Sequence, residues 1–268
     1  MLNKKRSAAA KIFGILTAIL LVAVLGYAWF YHNTQISNPH NYNTIGDIPV
    51  PYGYERIDGS DAAYSTFLRS LPLKGKGAKV MLYTGDTANY QFLSYAVVDL
   101  PILSNAEQCA DACMRLRAEY LFQRGRYGEI RFNDINGKTM KYTGGSSRKE
   151  FEKYLRKVYG VANTFSLSRE LQQRPLAEIQ PGDVFVYAAA DRPGNQYGHA
   201  IMVVDVARNP RTGKKMLLLA EGNTPARNIH VMRNMGHPFR SPWFTLDENT
   251  DKLRLSVFRF NANELRGW

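Results

Sequence analysis

Cys109 and His199 are the two residues of this chain whose types suit nucleophilic chemistry, and about ninety positions separate them. Cys109 falls four or five residues into a segment, "SNAEQCADACMRLRAEYLFQ" from Ser104 to Gln123, that reads as the strongest helix in the protein. A thiol near a helix N-terminus is favoured as a thiolate by the positive end of the helix dipole and by a neighbouring imidazolium. Cys113, one turn deeper on the same face, is expected to pack in the core. His199 opens an otherwise apolar run, "HAIMVVDV", which reads as a strand. Such a histidine is either a satisfied strand-end residue or a general base at the rim of a sheet.

A hairpin count separates these two options. The turn after this strand is "RNPRTGKK", and a centre near Pro210 or Arg211 brings His199 against Glu221 or Asn223 on the returning strand. Both have the same parity, so both can share the histidine's face. A carboxylate or amide beside an imidazole fixes its tautomer and supports its charged form. A slip of one residue puts Gly222 there instead. Gln108, next to the thiol, is a candidate oxyanion donor.

Other constellations are weaker. Ser146 and Ser147 lack the G-x-S-x-G elbow of serine hydrolases. His199, Glu221 and His230 could in principle hold a metal, but no HExxH spacing occurs, and neither metal nor cofactor is expected. His230 reads as an edge-strand residue, His237 and Trp243 as parts of a packed loop with Trp243 also able to line a cleft, and the run Arg115, Arg117, Glu119 as a solvated helix face with an Arg115–Glu119 pair.

The elements that must position these residues follow from patterning. A helix is expected over Ser60–Ser70, with strands at Val80–Tyr83 and Phe92–Val98. The main helix opens with a capping-box pattern, Ser104 and Glu107. A hairpin turns at Asn136–Gly137, and helices follow at Ser147–Val161 and Thr164–Gln172. Strands then run at Val184–Ala188, Ala200–Ala207, Lys215–Ala220, Asn228–Met232 and Leu253–Phe260. Helices first and an antiparallel meander second is an α+β signature.

Ile12 to Phe30 is 19 residues without a charge. As a helix it measures about 28 Å, close to a bilayer's hydrocarbon core. Lys4, Lys5, Arg6 and Lys11 precede it and supply four of the twelve net positive charges. The positive-inside rule then places residues 1–11 in the cytoplasm, the anchor at 12–31, a linker at 32–43 and one exported domain at 44–268. This predicts a single-pass inner-membrane protein with a periplasmic body; the alternative is secretion after signal-peptide cleavage. Two cysteines do not make a disulfide framework. The basic body suits anionic partners, but no nucleic-acid signature appears and none is expected as a partner.

A helix-borne cysteine, a "GD" ahead of the strand from Val184, "GHA" opening the strand that carries "VVDV", and a strand ending "AEGN" together resemble the papain-like fold, and more narrowly NlpC-type cell-wall peptidases and CHAP amidases. The likeness covers Ser104 to Thr224. It implies Cys109 as nucleophile, His199 as base, Glu221 or Asn223 as orienting group and a structural role for Asp183. The usual "DCSG"-like start is "QCADA" here. The soluble segment also resembles uncharacterised envelope proteins of Gram-negative bacteria, through "LPLK" at Leu71–Lys74, "QCADACMRLRAEYL" at Gln108–Leu121 and the block from His199 to Ala220. The papain-like resemblance implies cysteine-dependent amide hydrolysis or transfer in the cell envelope, with peptidoglycan or another envelope polymer as partner, while the envelope group brings no activity with it; the alternative is a binding or scaffold module that retains the fold.

Overall fold

The computed structural model describes residues 2–192, 194, 196–245, 252–255 and 257–268, without the side chains of residues 2–10, 33, 34, 252 and 254. The chain opens on helix α1 (Leu2–Gln35), whose stretch Lys11–His32 is long and apolar enough to cross a membrane and is unburied by the rest of the protein. The apolar helix is thus longer at both ends than its uncharged core.

The body is α+β, built on one antiparallel sheet. Strand β1 (Glu55–Arg56) and helix α2 (Ala62–Ser70) lead to β2 (Ser94–Val97), then to α3 (Cys109–Gln123). A small hairpin, β3 (Arg131–Asn133) and β4 (Thr139–Lys141), precedes α4 (Arg148–Tyr159) and α5 (Thr164–Glu170). Next come β5 (Gln172–Gln173), β6 (Val184–Tyr187), β7 (His199–Arg208), β8 (Lys215–Glu221), β9 (His230–Met232) and β10 (Phe244–Thr245). A second hairpin, β11 (Lys252–Arg254) and β12 (Arg259–Asn261), and β13 (Leu265–Gly267) close the chain. The sheet order is β2-β9-β8-β7-β6-β13-β5, with β1 on β7 and β10 on β8.

The sheet is buried on both faces. Ala200, Met202, Val204, Leu218 and Ala220 face the helices, while Phe185, Ile201, Val203, Leu217 and Leu219 face a second layer that contains Phe260. The β7–β8 register explains which residues share a face. Pairing runs from Arg208 with Lys215 to Asp205 with Leu218, then resumes at Val203 with Leu219. Val204 is the extra residue of a β-bulge, and it reverses the parity of everything before it on β7. An unbroken ladder from this turn would have turned His199 away from Glu221. Asp205, fully buried beside the bulge, accepts from Arg56 Nε at 2.6 Å and Arg69 Nε at 2.8 Å, tying β1 and α2 to the central strand.

Several expectations are corrected. Helix α3 begins at Cys109 and not at Ser104. Its N-cap is Gln108, whose N–H donates to Asp111 Oδ2 at 2.9 Å. Ser104 and Glu107 form a separate turn, because the Glu107 carboxylate accepts from Leu103 N–H (2.7 Å) and from Arg115 (3.2 Å). The Arg115–Glu119 run is no solvated face. Arg115 is fully buried and donates to Glu119 Oε1 at 2.7 Å, and Arg148 on α4 grips the same carboxylate at 2.6 and 2.7 Å. Val80–Tyr83 makes only isolated bridges, and Leu253–Phe260 is a hairpin lying off the main sheet.

The segment expected to be a linker is fastened to the body. Asn38 is buried; its N–H donates to Tyr95 O at 2.5 Å, and its side chain bonds Tyr42 O, Lys74 O and Tyr42 N–H at 2.8–2.9 Å. Arg233 Nη2 donates to both Ile36 O and Ser94 O at 2.9 Å. The α1 helix therefore runs into the body without a free joint.

Candidate active site

Three elements converge on the Cys109–His199 pair. Cys109 is the first residue of α3, closer to the dipole's positive end than its spacing from Ser104 suggests. The helix ladder starts with Ala112 N–H to Gln108 O at 2.9 Å, so the N–H groups of Cys109 and Ala110 point out of the helix end unpaired by it. His199 is the first residue of β7, opposite Tyr187. Glu221 is the last residue of β8.

Two glycines permit the approach. A Cβ on Gly222 would lie 2.8 Å from Ala112 Cβ and 3.2 Å from Gln108 O, so only glycine lets the end of β8 meet the start of α3. A Cβ on Gly198 would lie 2.6 Å from Tyr187 O and 2.2 Å from Thr164 Oγ1. One glycine adjoins Glu221 and the other adjoins His199, and each removes the atom that would push its neighbour from the site.

His199 Nε2 lies 2.9 Å from Glu221 Oε2, with both side chains buried. Burial opposes a charge on the ring, but the Cys109 thiol and the Glu221 carboxylate beside it outweigh burial and raise the imidazole from 6.5 to about 9. Burial would raise Glu221, yet His199 and then His230 pull it down to about 2. The pair is therefore an imidazolium facing a carboxylate at neutral pH. Glu221 occupies Nε2, which leaves Nδ1 as the ring nitrogen for a second partner. Phe258 stacks on the ring at 3.6 Å between centroids, which fixes its plane and excludes water.

The remaining sequence candidates separate. Of the two orienting candidates, Glu221 bonds His199, while Asn223 Oδ1 accepts from Thr224 N–H at 2.8 Å. Gln108 Oε1 accepts from Thr224 Oγ1 at 3.0 Å, which leaves its amide N–H groups as the available donors beside the thiol. Asp183 is buried and accepts from Arg174 Nε at 2.8 Å and Gln180 N–H at 3.0 Å, a turn-holding arrangement. Cys113 sits in the main apolar cluster, where burial pushes its thiol well up, whereas Cys109 belongs to none of the clusters. Trp243 is packed, donating to Pro49 O at 2.9 Å.

His230 was expected on an edge and is not there. β9 lies between β2 and β8, and His230 pairs with Glu221 across the ladder. Its Nε2 is 3.4 Å from Glu221 Oε1, and its Nδ1 is 3.1 Å from Asn228 O, so both ring nitrogens face acceptors. The carboxylate thus bridges two histidines, one oxygen to each. The hairpin count used for His199, applied to a turn centred between Pro225 and Ala226, puts His230 opposite Glu221. Phe258 had no such local signal. Among the described residues, no group of three or more His, Cys, Asp or Glu side chains is arranged to hold a metal ion.

Two clefts flank the site. One, of about 450 Å3, is lined by Gln108, Cys109, Asp111, Tyr159, Tyr197 and Thr224 among others. The other, of about 550 Å3, is reached past Thr224 on the Glu221 and His230 side. Cys109 itself is only 6 % exposed.

An antiparallel α+β body behind an apolar N-terminal helix, with a buried Cys–His–Glu set, defines the class of protein. Residues 46–145 and 143–267 match the family described as domain of unknown function 4846, and the chain belongs to that family. No curated protein and no solved structure matches it.

Proposed function

We propose that this protein is a cysteine-dependent amide hydrolase or transferase of the cell envelope with a papain-like catalytic arrangement. The observation that supports this is Cys109 at the first residue of α3, beside an imidazole that Glu221 holds charged. The Cys109 thiolate attacks a substrate carbonyl, forming the S–C bond. The oxyanion takes hydrogen bonds from the helix-end N–H groups and Gln108. The His199 imidazolium gives its Nδ1 proton to the departing amine as the C–N bond breaks, leaving a thioester. His199 then accepts a proton from water or a second nucleophile that attacks the thioester, and the thiolate leaves.

The membrane-length helix and the cations before it support an inner-membrane anchor with a periplasmic body. Peptidoglycan peptides are the substrate class that this compartment offers. The experiment is release of new amino groups from purified peptidoglycan by the full chain in detergent, compared with Cys109→Ala. Equal release by both would remove the catalytic reading. Protease protection on spheroplasts tests the topology: digestion of the body supports export, and protection overturns it.

One observation favours a second reading. Cys109 and His199 are both buried, at 6 % and 2 % exposure, as a scaffold that retains the fold would have them. A catalyst admits substrate to Cys109 through the cleft it lines; a scaffold leaves the thiol unreactive until unfolding.

A further inference from the structure

The second cleft differs in character from the first. Its wall carries Tyr90, Phe92, Leu93, Met235, Val257 and Phe258, with Glu221 and His230 at one side. This is an apolar chamber beside a carboxylate and an imidazole, of a size that suits a small-molecule ligand.

Its position relative to α1 says what fills it. Phe92 and Leu93 belong to the turn Gln91–Leu93, which packs against α1, as does the turn Pro238–Arg240 just beyond Met235. Phe239 stacks on Trp29 at 4.7 Å, and Trp29 lies inside the membrane-length stretch Lys11–His32. Arg233 joins Ile36 O, one residue past the end of α1, to Ser94 O, and Ser94 lines the cleft. From His32 to Gln35 the helix rises only about 5 Å. With α1 in a bilayer, the cleft wall lies at the depth where the headgroups meet the acyl chains. Around it, Phe239 is 88 % and Tyr90 68 % exposed to water, an arrangement that aromatic residues adopt at a membrane interface.

The wall runs from the anchor to the imidazole, because Phe258 both lines the cleft and stacks on His199. Apolar side chains dominate it, so a hydrocarbon chain is the matching occupant. We infer that this cleft binds a fatty acyl chain of a membrane lipid, drawn from the bilayer beside α1, with its ester end near Glu221 and His230 and its hydrocarbon toward α1. The inference rests on α1 remaining in the membrane and not on the thiol chemistry. A lipid whose acyl chain lies here presents its polar part toward Thr224 and Arg227, which line the same cleft, and so toward the first cleft and Cys109.

The test uses the full chain in nanodiscs of phosphatidylethanolamine and phosphatidylglycerol doped with a phosphatidylethanolamine that carries a diazirine on one acyl chain. After irradiation, adducts are mapped by mass spectrometry. The expected result is labelling at Leu93, Met235, Val257 or Phe258 in addition to α1. Leu93→Asp places a carboxylate in the apolar wall and is expected to cut labelling of Val257 and Phe258 by about tenfold or more. Cys109→Ser is expected to keep the wild-type adducts, so loss of labelling and loss of turnover are separate results. Adducts confined to α1 in the wild-type protein overturn the inference, and so does cleft labelling that a folded Leu93→Asp protein retains in full. The wild-type map decides the question even if that variant is unstable.

Discussion

Glu221 Oε2 stands 2.9 Å from His199 Nε2, yet the two residues are not partners in the β7–β8 ladder, whose last pair is Met202 with Ala220. They meet diagonally beyond the end of the pairing, on a face that the bulge at Val204 assigns to both. The contact is thus a property of the register, and its charge state has consequences that can be measured.

The first consequence is in pH. His199 is raised from 6.5 to about 9, so its contribution to stability is complete below 6.5 and is lost as pH climbs to about 9. Glu221 is lowered from 4.5 to about 2, so its contribution is complete above 4.5 and is lost as pH falls toward 2. The thermal midpoint is expected to decline on both sides of the window between those limits. Glu221→Gln should flatten the alkaline limb. An alkaline limb unchanged in that variant would show that His199 is not held charged by Glu221.

Thiol reactivity is the second. Iodoacetamide should modify Cys109 in the folded protein and leave Cys113 until denaturation, since Cys113 is packed in the main core. His199→Ala should slow modification of Cys109 at neutral pH by more than about tenfold, because it removes the base beside the thiol. Cys109→Ala should change stability by less than about 1 kcal/mol. Peptide mapping after timed alkylation reads the rates; equal rates with and without His199 would separate the two residues chemically.

Gly222→Ala tests the approach of strand to helix. The new methyl would sit 2.8 Å from Ala112 Cβ, and relieving that overlap should cost about 1–3 kcal/mol. Because the relief moves the N-terminus of α3, alkylation of Cys109 should slow as well. An unchanged melting curve and an unchanged alkylation rate would mean that the contact is not tight.

Asn38→Ala addresses the junction of helix and body. The change strands the Tyr42 and Lys74 carbonyls that the amide serves and puts alanine at φ 47°. A loss of about 2 kcal/mol or more is expected by chemical denaturation. A loss of a few tenths would return residues 36–43 to the status of a loose connection.

Much of the site could be read from residue types and alternation, but not always for the right reason. The count that put Glu221 near His199 placed the turn centre slightly early, and the bulge at Val204 offsets that displacement. Nothing in "HAIMVVDV" marks Val204 as bulged, because every residue from His199 to Ala207 is buried and the usual polar alternation is missing. The start of α3 misled for a different reason. Ser104 and Glu107 carry a capping signature, but Arg115 draws the Glu107 carboxylate into the core, and Gln108 with Asp111 does the capping. Arg115 itself looked solvated, since the partners that let a guanidinium be buried come from elsewhere in the chain, Glu107 before it and the Arg148–Glu119 pair after it. Phe258 reaches His199 only through the return of the C-terminal hairpin, a tertiary event with no trace in local pattern.

The fastening of residues 36–43 bears on how the protein meets other molecules. A flexible joint of a dozen residues would let the body roam about 20 Å from its anchor. With Asn38 and Arg233 in place the body has no such freedom, and its orientation is that of α1. If α1 stays in the bilayer, the search for a reaction partner becomes two-dimensional. Molecules confined to the same membrane meet the site repeatedly at one height, while a polymer strand farther out is met only if it bends inward. Turnover would then scale with the surface density of protein in the bilayer and not with its bulk concentration.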